Sequence, residues 1–258
     1  MPTDETAAPP RPFLLIQTRP EDDAALGEAE AVRRLGGYAD EQLTVLRLDQ
    51  VLAERAQTGG ALPLEWDEIL RLHAGVILPG SPFTTSVPAE QKSEIQRGVE
   101  AELARMLDVV IAEDLPFLGC CYGIGTLGAY LGAQVDGTYG ESAGPITVTV
   151  TDAGTRDPLL AGLPASFAAY VGHKEAITAL PEGAEILVRG TACPVQMFRI
   201  GTRQYATQFH PELDQPGLME RLRIYAHHGY FDSETAQHTF DAIAATPAPE
   251  PPKILENF

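Results

Sequence analysis

The first half of this chain alternates short apolar runs with stretches of helical character, and that alternation limits the fold more than any other feature. Phe13-Leu14-Leu15-Ile16-Gln17 is bounded by Pro12 and Thr18-Arg19-Pro20, which suits a buried strand. Residues 21–35 read as a helix closing at Gly36-Gly37. Residues 43–48, 74–78 and 116–118 supply three more strands, with a Gly- and Pro-rich loop over 58–65 and one long helix over 89–113. A further helical stretch follows to about residue 131 despite its glycines. Strand and helix in alternation imply a parallel sheet covered by helices on both faces. The second half is richer in strands, at 146–150, 168–171, 184–188, 195–200 and 205–209, before a closing helix at 217–230. The expected fold class is therefore α/β, with a mostly parallel central sheet and an antiparallel, strand-rich extension. Residues 1–11 are expected to be disordered, residues 12–231 to form one domain, and residues 232–258 to be a Pro-rich tail, loosely attached around 245–252.

Composition narrows the function. No run of eighteen apolar residues occurs, and the N-terminus lacks a basic-then-apolar signal pattern, so a soluble, cytoplasmic protein with no membrane partner is expected. The net charge of −18 disfavours nucleic acid and anionic membranes. Three cysteines, two of them adjacent, cannot build a disulfide framework. No cofactor and no metal are expected. His227-His228 lacks ligand company, Cys193 reads as buried and inert, and Glu141 as a loop acid.

Three segments carry chemistry. Gly119-Cys120-Cys121-Tyr122-Gly123 follows a strand and opens a helix, and places glycines two residues either side of Cys121. A nucleophile on so tight a turn needs small neighbours, and the helix N-terminus favours a thiolate. Phe209-His210-Pro211-Glu212 ends another strand; the carboxylate can hold one imidazole nitrogen as donor and leave the other to take a thiol proton. Gly80-Ser81-Pro82 closes a third strand, where the Ser81 amide, with that of Tyr122, could form an oxyanion hole.

Together these segments, in this order, resemble the class I, triad-type glutamine amidotransferases, most closely the amidotransferase domain of GMP synthase. The resemblance covers roughly residues 13–230 and includes Tyr170 to Glu175 and Ala179 to Gly183, similar to the family's strand–His–loop–Leu-Pro-x-Gly stretch. It implies Cys121 as nucleophile, His210 as general base and Glu212 as orienting carboxylate, with Gly80, Ser81 and Tyr122 at the oxyanion hole. Gly172, His173 and Lys174 become candidate substrate-binding residues; a structural role for His173 and a solvated role for Lys174 stay open. The implied substrate is L-glutamine or another γ-glutamyl amide.

The sequence departs from the family at three places. Gly125 stands where the family has a Gln four residues after the nucleophile, Ser81 replaces the second Gly of Gly-Gly-Pro, and Lys174-Glu175 follows the middle His. No Gly-rich phosphate loop of an ATP-using synthetase is present, so a separate acceptor subunit is expected. The competing readings are a stand-alone γ-glutamyl hydrolase or peptidase, and a non-catalytic regulatory module with the same fold.

Overall fold

The computed structural model describes residues 10–58, 63–225 and 233–258, with side chains of 233–236 left aside. The expected disorder at 1–11 falls largely outside these residues, as do His227 and His228. Five strands lie parallel in the spatial order β2 (Leu43–Arg47), β1 (Phe13–Gln17), β3 (Gly75–Leu78), β4 (Phe117–Cys120) and β11 (Gln204–Thr207). Every residue of β3, β4 and β11 is buried, as expected of strands covered on both faces. The sheet continues antiparallel through β10 (Met197–Ile200), β9 (Glu185–Gly190), β6 (Glu141–Val150) and β7 (Ser166–His173), making nine strands. The architecture is α/β, as the alternation in the sequence requires.

Helices cover the sheet: α1 (Asp22–Gly36), α2 (Leu48–Thr58), α3 (Trp66–Arg71), α4 (Glu94–Ala112), α5 (Tyr122–Tyr130) and α6 (Gln215–Ile224). In α1, Asp22 and Asp23 sit at the N-terminal end and Arg33 and Arg34 at the C-terminal end, where each complements the helix dipole. Gly37 closes the helix at φ 67°, the left-handed conformation that glycine adopts without steric cost. The long helix begins at Glu94, later than the apolar spacing suggests, because Ser93 caps it by accepting from the Gln96 amide at 3.1 Å. Its buried stripe of Val99, Leu103, Met106, Leu107 and Val110 faces the sheet.

Two short helices and a small two-stranded sheet escape the sequence reading. Only Leu48 and Asp49 of α2 are buried, so its periodicity is weak. Helix α3 is fixed by Trp66, whose buried indole donates to Glu102 at 2.9 Å. Strands β5 (Gln134–Asp136) and β8 (Ala176–Ala179) form a separate two-stranded sheet.

The tail is not loosely attached. Residues Ser233–Ala245 form helix α7 and Pro252–Asn257 form α8, which packs on α1. Ile254 and Leu255 are fully buried, each contributing about 1.5–3 kcal/mol of burial. Tyr38 donates its hydroxyl to the Leu255 carbonyl at 2.8 Å, and Asn257 donates to the carbonyls of Leu159 and Ala161 at 3.0 and 2.9 Å. Proline content alone suggested a loose tail; the apolar pair after the prolines anchors it.

Candidate active site

Strand β4 delivers the chain to Cys121, which leaves the sheet at φ 54° and caps α5. A non-glycine residue in this conformation stores about 1–3 kcal/mol and persists only where its surroundings enforce it. The surroundings do so here. A Cβ on Gly119 would stand 2.7 Å from the Gly123 carbonyl carbon, and one on Gly123 would stand 2.5 Å from the Leu78 oxygen. The Cys121 amide donates to Thr207 at 2.8 Å, locking the turn to β11. Cys120 points into the core with no exposure, and burial pushes its thiol well above the ordinary range. Cys121 is half-buried, open to the space above the sheet.

Beyond β11 the chain carries Gln208 and Phe209 to His210, whose amide donates to Tyr170 on β7 at 3.0 Å. Nδ1 of His210 lies 2.6 Å from Oε1 of Glu212. Burial opposes charge on His210, but Glu212 and Cys121 outweigh it and raise its pKa to about 9. Burial likewise opposes charge on Glu212, but His210 and Arg221 bring it down to about 2. Both shifts favour the charged forms of the pair, which is buried from water. A Cβ on Gly80 would lie 3.0 Å from His210 Cε1 and 3.5 Å from Cys121 Cβ, so Gly80, Cys121 and His210 surround one methyl-sized point.

Two clefts meet at Cys121, Ser81 and Gly172. One is lined by Phe83, Thr84, Tyr122, His173, Lys174 and Glu175. The other is lined by Arg19, Val171, His210, Leu213, Leu218 and Leu222. The structure thus brings all nine predicted site residues around one centre. His173 holds the loop: Nδ1 lies 2.9 Å from the Glu175 carbonyl and Nε2 lies 3.0 Å from Glu141. Glu141 is not a free loop acid, since it also accepts from Gln196 at 2.6 Å. Cys193 is buried beside them, its thiol pushed up to about 12 by burial and then by Glu141.

The space over Gly125 is filled. A Cβ there would lie 3.0 Å from Thr85 Oγ1 and 3.5 Å from Glu175 Oε1. Glu175 accepts from the amides of Thr85 and Ser86 at 2.6 and 2.7 Å, tying the loop after β3 to the loop after β7.

Sequence reasoning missed Arg19 altogether. It stands just past the carboxyl end of β1, the edge where parallel sheets bind ligands, which was the available signal. Its Nε lies 2.8 Å from Glu28 and its Nη1 donates to Tyr225 at 3.0 Å. Glu28 also meets Arg221 at 3.0 Å, and Arg221 reaches Glu212 at 3.6 Å, so a buried ionic chain runs from Arg19 to the carboxylate behind His210.

The chain resembles known proteins in sequence and in fold. The chain is 32% identical over 158 residues to a GMP synthase [glutamine-hydrolyzing] of Ectopseudomonas mendocina, covering 57% of this chain and 27% of that one. It is 31% identical over 185 residues to the enzyme of the same name from Aeropyrum pernix, covering 72% and 30%. It therefore spans under a third of the length of these relatives. Among solved structures, a glutamine amidotransferase of Thermotoga maritima superposes with a TM-score of 0.65 at 20% identity, covering 95% of this chain and 96% of that one. One from Methylobacillus flagellatus gives 0.64 at 17%, covering 96% and 93%. These two likenesses concern the fold. Among the described residues no helix is long and apolar enough to cross a membrane. Residues 30–223 match the family Glutamine amidotransferase class-I, and the chain belongs to that family.

Proposed function

We propose that this protein cleaves a γ-glutamyl amide, with glutamine as the family's substrate, through a thioester on Cys121. The observation that carries the reading is the convergence of Cys121, His210 and Glu212, with Glu212 fully buried and His210 drawn toward the imidazolium by both partners. The Cys121 sulfur attacks the γ-carbonyl carbon. The amides of Ser81 and Tyr122 receive the developing oxyanion, and His210 returns a proton to the departing nitrogen. Water then attacks the thioester, releases glutamate and restores the thiol. In the amidotransferase reading the ammonia passes to a separate acceptor protein. The stand-alone γ-glutamyl hydrolase reading is supported by the second cleft, which free glutamine has no group to fill. A regulatory module has no need of a strained cysteine beside a buried His–Glu pair.

The test is to mix the purified protein with glutamine or γ-glutamyl-p-nitroanilide, quench in acid and map peptides. A γ-glutamyl adduct on the Cys121 peptide is expected. Adducts on Cys120 or Cys193 alone, or none with either compound, would overturn the proposal.

A further inference from the structure

The two clefts that meet at Cys121 differ in kind, and the difference assigns the two halves of a substrate. Tyr122, which offers an oxyanion donor, and the loop His173-Lys174-Glu175 line only one of them. His210, which must protonate the departing nitrogen, lines only the other. The acyl half of the substrate belongs in the first cleft and the amine half in the second. Ammonia needs no walls. The second cleft nevertheless has them, in Ala143, Val171, Leu213, Leu218 and Leu222.

Arg19, just past β1, and Arg221 bring two guanidinium groups to this otherwise apolar space. Glu28 holds Nε of Arg19 and Tyr225 its Nη1, and the Arg19 guanidinium lies 5.7 Å from the Tyr225 ring centroid. Nη2 has no hydrogen-bond partner among the described residues, and it points to Gly80, 2.9 Å from where a Cβ would stand. A Cβ at position 80 would also crowd His210 Cε1 at 3.0 Å and Cys121 Cβ at 3.5 Å, so the glycine lets the guanidinium come up beside the imidazole and the cysteine. A guanidinium fixed on two sides, with its third nitrogen free, is preorganised for a carboxylate.

Resting on the Cys121 thioester reading, we infer that the second cleft takes the amine half of a γ-glutamyl-amino acid with an apolar side chain, whose carboxylate binds Arg19. The reaction balances as a hydrolysis. The Cys121 S–C bond forms as the C–N bond breaks, the thiol proton travels through His210 to the nitrogen, and the amino acid leaves. Water then cleaves the thioester to glutamate.

The test uses the intact protein and three substrates: glutamine, γ-glutamyl-leucine, and γ-glutamyl-leucinamide, which lacks the carboxylate. The dipeptide is expected to show a kcat/KM at least about tenfold above both others, the scale of one charge-assisted hydrogen bond. In Arg19→Gln the preference for dipeptide over leucinamide should fall below about threefold, whatever the overall rate. Wild-type protein that cleaves glutamine as fast as the dipeptide, or both leucine compounds equally, overturns the inference even if the Arg19 variant fails to fold. In that case a γ-glutamyl adduct on Cys121 leaves the thioester reading standing; absence of any adduct removes both.

Discussion

Nδ1 of His210 stands 2.6 Å from Oε1 of Glu212, in a part of the protein where Glu212 has no exposure. The carboxylate can only accept, so Nδ1 carries a proton and Nε2 is left for Cys121. In the proposed thioester route the thiol makes and breaks bonds, whereas Glu212 only orients the ring. Cys121→Ala should therefore abolish turnover of γ-glutamyl-p-nitroanilide, while Glu212→Ala should retain activity about a hundredfold higher. Equal losses in kcat would assign Glu212 a larger part.

The same pair shapes stability against pH. Glu212 is held at about 2 instead of 4.5, so its contribution is complete above pH 4.5 and drains away toward pH 2. His210 is held at about 9 instead of 6.5, so its contribution is complete below pH 6.5 and is lost as pH rises through 9. Urea unfolding of wild type and Glu212→Gln should differ most between pH 4.5 and 6.5, by roughly 3 kcal/mol. The gap should narrow on both sides. A gap independent of pH would contradict the assignment of charge.

Thr85 and Glu175 stand at the place beside Gly125 where a side chain would begin. Gly125→Gln should consequently not restore a lost contact. The new side chain must displace Thr85 or break the clasp of Glu175 on the amides of Thr85 and Ser86, at a cost of about 1–3 kcal/mol. Thermal melting and KM for glutamine measure this. A lower KM with an unchanged melting temperature would show that the site has a true vacancy.

Leu255 on α8 is wholly buried against α1, almost at the end of the chain. Leu255→Ala should cost about 2–5 kcal/mol in urea unfolding, as a core truncation does. A cost near zero would mean that the tail does not hold the domain together.

Much of the site was legible because it is local. Cys121 sits between glycines that a tight turn demands, and Glu212 follows His210 by two residues, so one short stretch of backbone can pair them. The parallel strands were legible because burial on both faces leaves unbroken apolar runs such as Val76-Ile77-Leu78. Periodicity is silent where a helix buries little, as in α2, or where a strand is three residues long, as in β5. It also cannot say which distant residues meet. Thr85 and Glu175 are 90 residues apart, and Arg19 and Tyr225 are 206 apart. Those contacts depend on strand order, which sets β1 beside β3 and β11 beside β4, and so gathers their carboxyl ends at one edge. The sequence by itself determined the sheet, the elbow and the His–Glu pair, since each is written within a few residues. Only the tertiary structure decided that Glu175 fills the gap at Gly125, that Arg19 lies against Gly80, and that the last helix closes against the first. Each of these is a packing contact between segments with no local signal of one another.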